Sequence, residues 1–158
     1  MNPGNRQTEK GKHMASTSTY LNFARSSEEA FNFYKSVFET EFNGQIVRFG
    51  DIPPQEGQPP MDPADSQLIM NIQLPITGGH ILMATDAPES MGFTVTMGNN
   101  SYISVHPDTK GEADTLFRRL SAGGEVEMAM EDQFWGDYFG SLTDKFEVRW
   151  MVNCMGQQ

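Results

Sequence analysis

The chain has 158 residues, the length of one domain, with 11 Lys+Arg against 21 Asp+Glu and a formal net charge of −10. That balance excludes a nucleic-acid binder, which needs a basic face to displace counterions from phosphate, and it excludes docking on an anionic membrane surface. A content of 37% hydrophobic and 11% aromatic residues excludes a disordered chain, and no run approaches the ~18 apolar residues of a membrane span.

Residues 1–13 carry Arg6, Lys10 and Lys12 against Glu9 and read as a leader or tag, predicted to be disordered. Residues 14–158 then form a single domain of net charge −12, a self-repelling acidic surface. Alternation in Thr19-Tyr20-Leu21-Asn22-Phe23 predicts a strand. Ser26-Ser27-Glu28-Glu29 is a capping box, and Ala30, Phe33, Tyr34 and Val37 after it fall on one helix face. A strand is predicted over 45–49. Pro53-Pro54-Gln55-Glu56-Gly57-Gln58-Pro59-Pro60 is a loop that cannot hold regular structure. Strands over 68–74 and 80–85 are joined by a turn at 75–79.

The pattern then recurs. After a linker at 89–100 comes a strand at 101–105 and a second box, Thr109-Lys110-Gly111-Glu112, followed by the stripe Ala113, Leu116, Phe117, Leu120. Boxes and stripes lie 83 residues apart throughout. Strands at 124–130, 134–142 and 148–153 complete the copy. The chain therefore reads as two β-α-β-β-β modules, 17–88 and 101–154, an α+β architecture.

Period-two alternation sorts the side chains. Leu21, Phe23, Ile103, Val105, Trp150 and Val152 are predicted to pack under the helices. Tyr20, Asn22, Met83, Thr85, Tyr102, Ser104, Arg149, Met151 and Asn153 fall on the opposite face. Tyrosine walls, methionines and a few polar hooks suit a small, partly apolar organic ligand. His80 and His106 read as structural or solvated, and the acids Glu125, Glu127, Glu131 and Asp132 as a solvated face. A single cysteine, Cys154, excludes an internal disulfide and fits a reducing compartment, the cytoplasm.

Two such modules, with Phe33-Tyr34 on the first helix, Met83-Ala84-Thr85-Asp86-Ala87-Pro88 on the fourth strand and Phe134-Trp135-Gly136 and Thr143-Asp144-Lys145-Phe146 near the end, resemble the vicinal oxygen chelate superfamily of glyoxalases, bleomycin-resistance proteins and extradiol dioxygenases. More narrowly they resemble its PhnB-like branch. The resemblance implies a cup-shaped mixed β-sheet with helices on its outer face and frequent homodimers. It also implies a divalent ion held by His, Glu or Gln, at positions that fall here near Ser18, Met83, Asn100 and Met151. None of these four is a good zinc or iron(II) ligand. In the last turn, relatives commonly carry Asp-Pro-Phe-Gly-His where this chain has Asp144-Lys145-Phe146-Glu147-Val148.

The expectation is a PhnB-like protein that binds a small organic molecule in its cup, with no metal or other cofactor, as a homodimer. Two alternatives accompany it. One is a metal-dependent lyase or dioxygenase using His80, Glu127 or Glu147. The other is a non-catalytic dimerisation module built on the hydrophobic ribbon around Trp135.

Overall fold

The computed structural model describes residues 14–156, so the leader read at 1–13 lies outside the described residues. The first half runs β1 (Thr19–Phe23), α1 (Ser27–Phe38), β2 (Val47–Arg48), α2 (Pro63–Ser66), β3 (Ile69–Pro75) and β4 (Ile81–Asp86). The second runs β5 (Ile103–Val105), α3 (Lys110–Ser121), β6 (Glu125–Asp132), β7 (Tyr138–Thr143) and β8 (Arg149–Cys154). The main helices α1 and α3 each have 12 residues, and both their starts and their ends are separated by the 83-residue offset read in the sequence.

Each half forms its own four-stranded mixed sheet, ordered β1-β4-β3-β2 and β5-β8-β7-β6. The first strand pairs parallel with the last, Tyr20 opposite Met83 and Ser104 opposite Met151, and the remaining pairs are antiparallel. A parallel pair needs a long crossover, and each helix with its following strands provides one. The sheets are open, with β1 and β5 as facing edge strands that are not hydrogen-bonded to each other.

One apolar core spans both halves. Trp150 and Val152 are fully buried, as their alternation predicts, alongside Phe31, Tyr34, Leu82 and Leu120. The Trp150 ring lies 5.5 Å from Tyr34 and 5.6 Å from Phe38, both on α1 of the other half. At this junction the buried Asp144 carboxylate accepts from Tyr34 Oη at 2.5 Å and Trp150 Nε1 at 2.8 Å. It also accepts the Phe146 and Val148 amides at 2.8 and 3.1 Å. A buried carboxylate is tolerated when its lone pairs are filled in this way.

Three local expectations are corrected. The box at Ser26 does not form, and the Ser26 side chain makes no capping bond. Instead Asp86, at the end of β4 and 2% exposed, accepts the Ser27 amide at 3.0 Å and the Ile69 amide at 2.8 Å. A carboxylate that is already buried and takes two orphan amides outcompetes a solvated hydroxyl. The second cap does form: Thr109 Oγ1 accepts the Glu112 amide at 3.1 Å, while Glu112 reaches back to the Asp108 amide. The predicted strand at 45–49 shrinks to two residues, because Asp51 accepts the Arg48 amide and turns the chain at Phe49–Asp51. Finally, α2 is an unforeseen single turn, capped by Asp62 with Pro63 in its first position.

Candidate functional site

Where the two edge strands face each other the molecule has a crevice of about 890 Å³. All five residues of β1 line one side, and Tyr102 to His106 line the other. The linker contributes Thr96, Met97, Gly98 and Asn100, and the chain entering β8 contributes Val148 and the first β8 residue, Arg149. Leu21, Ile76, Ile103 and Val105 give the crevice its apolar middle.

Arg149 on β8 is the centre of the polar end. Its guanidinium donates to Tyr102 Oη at 3.4 Å, to the Gly98 carbonyl at 3.3 Å, and to the Glu127 carboxylate in a close ion pair. Tyr102 in turn donates to Glu127 at 2.7 Å, and Thr143 Oγ1 donates to it at 2.8 Å. The Tyr102 hydrogen bond above all, outweighing desolvation and helped by the Thr143 hydroxyl and the Arg149 charge, holds the Glu127 carboxyl below its usual range. The same contacts, Tyr102 first and then the Glu127 charge, raise the Arg149 pKa. The phenol of Tyr102 is thus fixed between a cation that donates to it and a carboxylate that accepts from it.

Glu127 shares the Arg149 face of the sheet by alternation: Glu125 pairs with Thr143 and Thr143 with Arg149, and Glu127 lies two residues beyond Glu125. A β-bulge falls here as well, Val126 pairing with Leu142 and Met128 with Ser141. The sequence reading took this acidic face as a solvated one, because the partners that occupy it, Arg149 and Thr143, come from β8 and β7.

The nine residues read from alternation are distributed as follows. Tyr20, Asn22, Tyr102, Ser104 and Arg149 line the crevice. Thr85 lines a neighbouring hollow of about 800 Å³ together with Tyr20, Asn22 and linker residues Phe93 to Met97. Met83 and Met151 lie on the same sheet faces, opposite Tyr20 and Ser104, without lining either cavity. Asn153 donates to Asp137 on the adjacent turn at 3.1 Å. Four linker residues, Thr96, Met97, Gly98 and Asn100, and both histidines also line the crevice; of these the sequence reading named Asn100 and His80 as metal positions and none as a contact for an organic ligand.

The four positions that superfamily resemblance assigns to a metal do not fit a hard ion. Ser18 Oγ donates to the Met83 thioether at 3.5 Å, Met151 offers a second thioether, and Asn100 supplies an amide. Such ions prefer imidazole and carboxylate oxygen. Among the described residues no group of three or more His, Cys, Asp or Glu is gathered closely enough to hold one.

Residues 15–153 match the family described as 3-demethylubiquinone-9 3-methyltransferase. The chain belongs to that family. Its paired-module fold is shared with a solved glyoxalase/bleomycin resistance protein/dioxygenase family enzyme from Burkholderia phytofirmans, a likeness of fold at 20% identity and a TM-score of 0.57, covering 87% of this chain and 97% of that one. Among curated relatives, protein YjdN of Escherichia coli K12 is 30% identical over 150 residues, covering 89% of this chain and 96% of the relative. Protein PA1353 of Pseudomonas aeruginosa is a solved structure with 31% identity and a TM-score of 0.75, covering 91% of this chain and 100% of that one. A PhnB protein from Bacillus cereus, bearing the same methyltransferase description, has 27% identity and a TM-score of 0.66, with coverage of 89% and 99%. The family's name describes a methyl transfer and assigns no residue of the crevice a role in one. Among the described residues no helix is long and apolar enough to cross a membrane.

Proposed function

We propose that the crevice between β1 and β5 binds a small, partly apolar organic molecule, and does so without a divalent metal. The observation that carries this reading is the Tyr102 hydroxyl, clamped by Arg149 and Glu127 at one end of a slot whose middle is apolar. A pre-oriented hydroxyl beside apolar walls fixes a ligand's direction at little entropic expense. The donor set at Ser18, Met83, Asn100 and Met151 supports metal independence.

A thermal-shift screen of small aromatic and aliphatic compounds, run with and without EDTA, tests both parts. Stabilisation by hits is expected to be unchanged by the chelator and to weaken by about five- to tenfold in Kd in Tyr102→Phe, the worth of about one hydrogen bond. Stoichiometric zinc, manganese or iron in purified protein, or hits that vanish with EDTA, would overturn the reading.

The same proposal places the protein in the cytoplasm as a homodimer. Phe134 is 98% exposed and Trp135 52%, at the tip of the β6–β7 turn beyond the outermost strand β6, which itself exposes Val126 and Met128. Exposed aromatics beside an unpaired sheet edge favour a second copy as the covering surface. Sedimentation velocity showing a monomer at micromolar concentration would refute the dimer.

A further inference from the structure

The crevice has a second polar end, and its chemistry differs from the first. The chain has three histidines, and the two among the described residues, His80 and His106, both line this one cavity. Both stand near Thr77 and Gly78 in the lining: the His80 amide bonds the Thr77 carbonyl, and His106 shares an adjoining hollow with Thr77 and Gly78. Nε2 of His80 lies 2.8 Å from Thr19 Oγ1, and Nε2 of His106 lies 3.2 Å from Ser104 Oγ. Each ring is therefore oriented by a hydroxyl. Among the described residues neither Nδ1 has a hydrogen-bond partner, which leaves one ring nitrogen on each for a ligand, a donor when the hydroxyl gives its proton to Nε2.

The local charge also contrasts with the rest of the molecule. Among the described residues Glu147 is the only acidic side chain that lines the crevice. The other fully charged lining residue is Arg149, at the far end and already paired with Glu127. The remaining titratable groups around the histidines are Tyr20 and Tyr102 in the crevice, Asp108, Glu112 and Arg119 in the adjoining hollow, and Asp137, which senses the His106 charge. An acidic protein repels anions over most of its surface, so a slot nearly free of carboxylates and holding two imidazoles is the place where an anion can enter. From Tyr102 to His106 is four residues of extended chain, about 13 Å, which sets the span between the two ends.

We propose that the ligand is an elongated organic acid whose anionic group sits between His80 and His106, with its apolar body along Leu21, Ile103 and Val105. This rests on the crevice being the binding site and adds the ligand's charge and direction.

The test uses three probes of one shape: 4-phenylbutyrate, its neutral amide 4-phenylbutyramide, and 4-phenylbutylamine. Isothermal titration is run on the full chain and on His80→Gln and His106→Gln, substitutions that keep a hydrogen-bonding side chain without the imidazole. The acid is expected to bind about tenfold tighter than the amide, with most of that advantage gone in either variant. Amide binding should be the same in all cases, which shows that the variants keep the crevice intact. Equal affinity of acid and amide, or preference for the amine, overturns the anion assignment while leaving the crevice as a binding site. If none of the three binds, the anion assignment and the crevice reading fall together.

Discussion

At the scale of single residues, the last turn holds a residue with a Cβ in a conformation that favours glycine: Glu147 has φ 67°, in the left-handed region. The turn survives because Asp144 anchors it from inside, accepting the Phe146 and Val148 amides, while the Glu147 amide bonds the Asp144 carbonyl. A residue with a Cβ is strained there by about 1–2 kcal/mol. Glycine relieves that strain but has more freedom to lose on folding, so the net gain is smaller. Glu147→Gly is therefore expected to stabilise the protein by about 0.5–1 kcal/mol, a rise in Tm of about 1–4 °C by calorimetry. Glu147→Ala retains the Cβ and should bring no such gain. If alanine and glycine raised Tm equally, the effect would come from removing a negative charge and not from relieving backbone strain.

At the scale of elements, periodicity located the strands and helices, and chemistry at their ends escaped it. The stripe Ala30, Tyr34, Val37 is buried as its spacing requires, and the same holds for Ala113, Phe117 and Leu120. Such stripes are properties of neighbouring residues and can be read directly. The capping of α1 cannot, because its acceptor, Asp86, lies 59 residues from the amide it caps. In the residue string Asp86 is only the end of a strand. The same limit hid the role of Glu127: its partners Arg149 and Thr143 come from β8 and β7, and only the register of those strands brings them to it. The linker and histidines were hidden differently, since only the approach of β1 to β5 makes them a lining. The cap offers a clean contrast between local and tertiary accounts. Ser26→Ala should change stability by less than about 0.3 kcal/mol, where a working hydroxyl cap would be worth about 1. Asp86→Ala orphans two buried amides and should cost about 2–4 kcal/mol. Urea unfolding of both variants decides it; a loss near 1 kcal/mol in Ser26→Ala would restore the local box.

At the scale of the whole molecule, the repeat suggests two independent halves, whereas the packing joins them into one folding unit. Each half has its own sheet, and no strand pairing crosses between them. The core nevertheless crosses freely: Phe33 and Tyr34 of α1 lie against Phe146 and Trp150, and Arg119 of α3 donates to the Val37 carbonyl at the end of α1. Separating the halves would expose Trp150, which is fully buried, and would strip Asp144 of its Tyr34 donor. Neither half could then hide its aromatic face from water. The protein should unfold in one calorimetric transition, with van't Hoff and calorimetric enthalpies in agreement. Tyr34→Phe keeps the ring and removes the bond across the junction, so it should cost about 1–3 kcal/mol and lower that single Tm by about 2–8 °C without splitting it. Its pH dependence carries a second signature. Burial first, and then the Asp144 charge and hydrogen bond, push the Tyr34 pKa well above 10.0. A proton held more tightly in the folded state stabilises it fully below pH 10, and that stability is lost as pH rises toward the folded value. The wild type should therefore lose stability above pH 10 more steeply than Tyr34→Phe. Two resolved transitions, only one of them shifted by the variant, would show instead that the halves fold separately and merely touch.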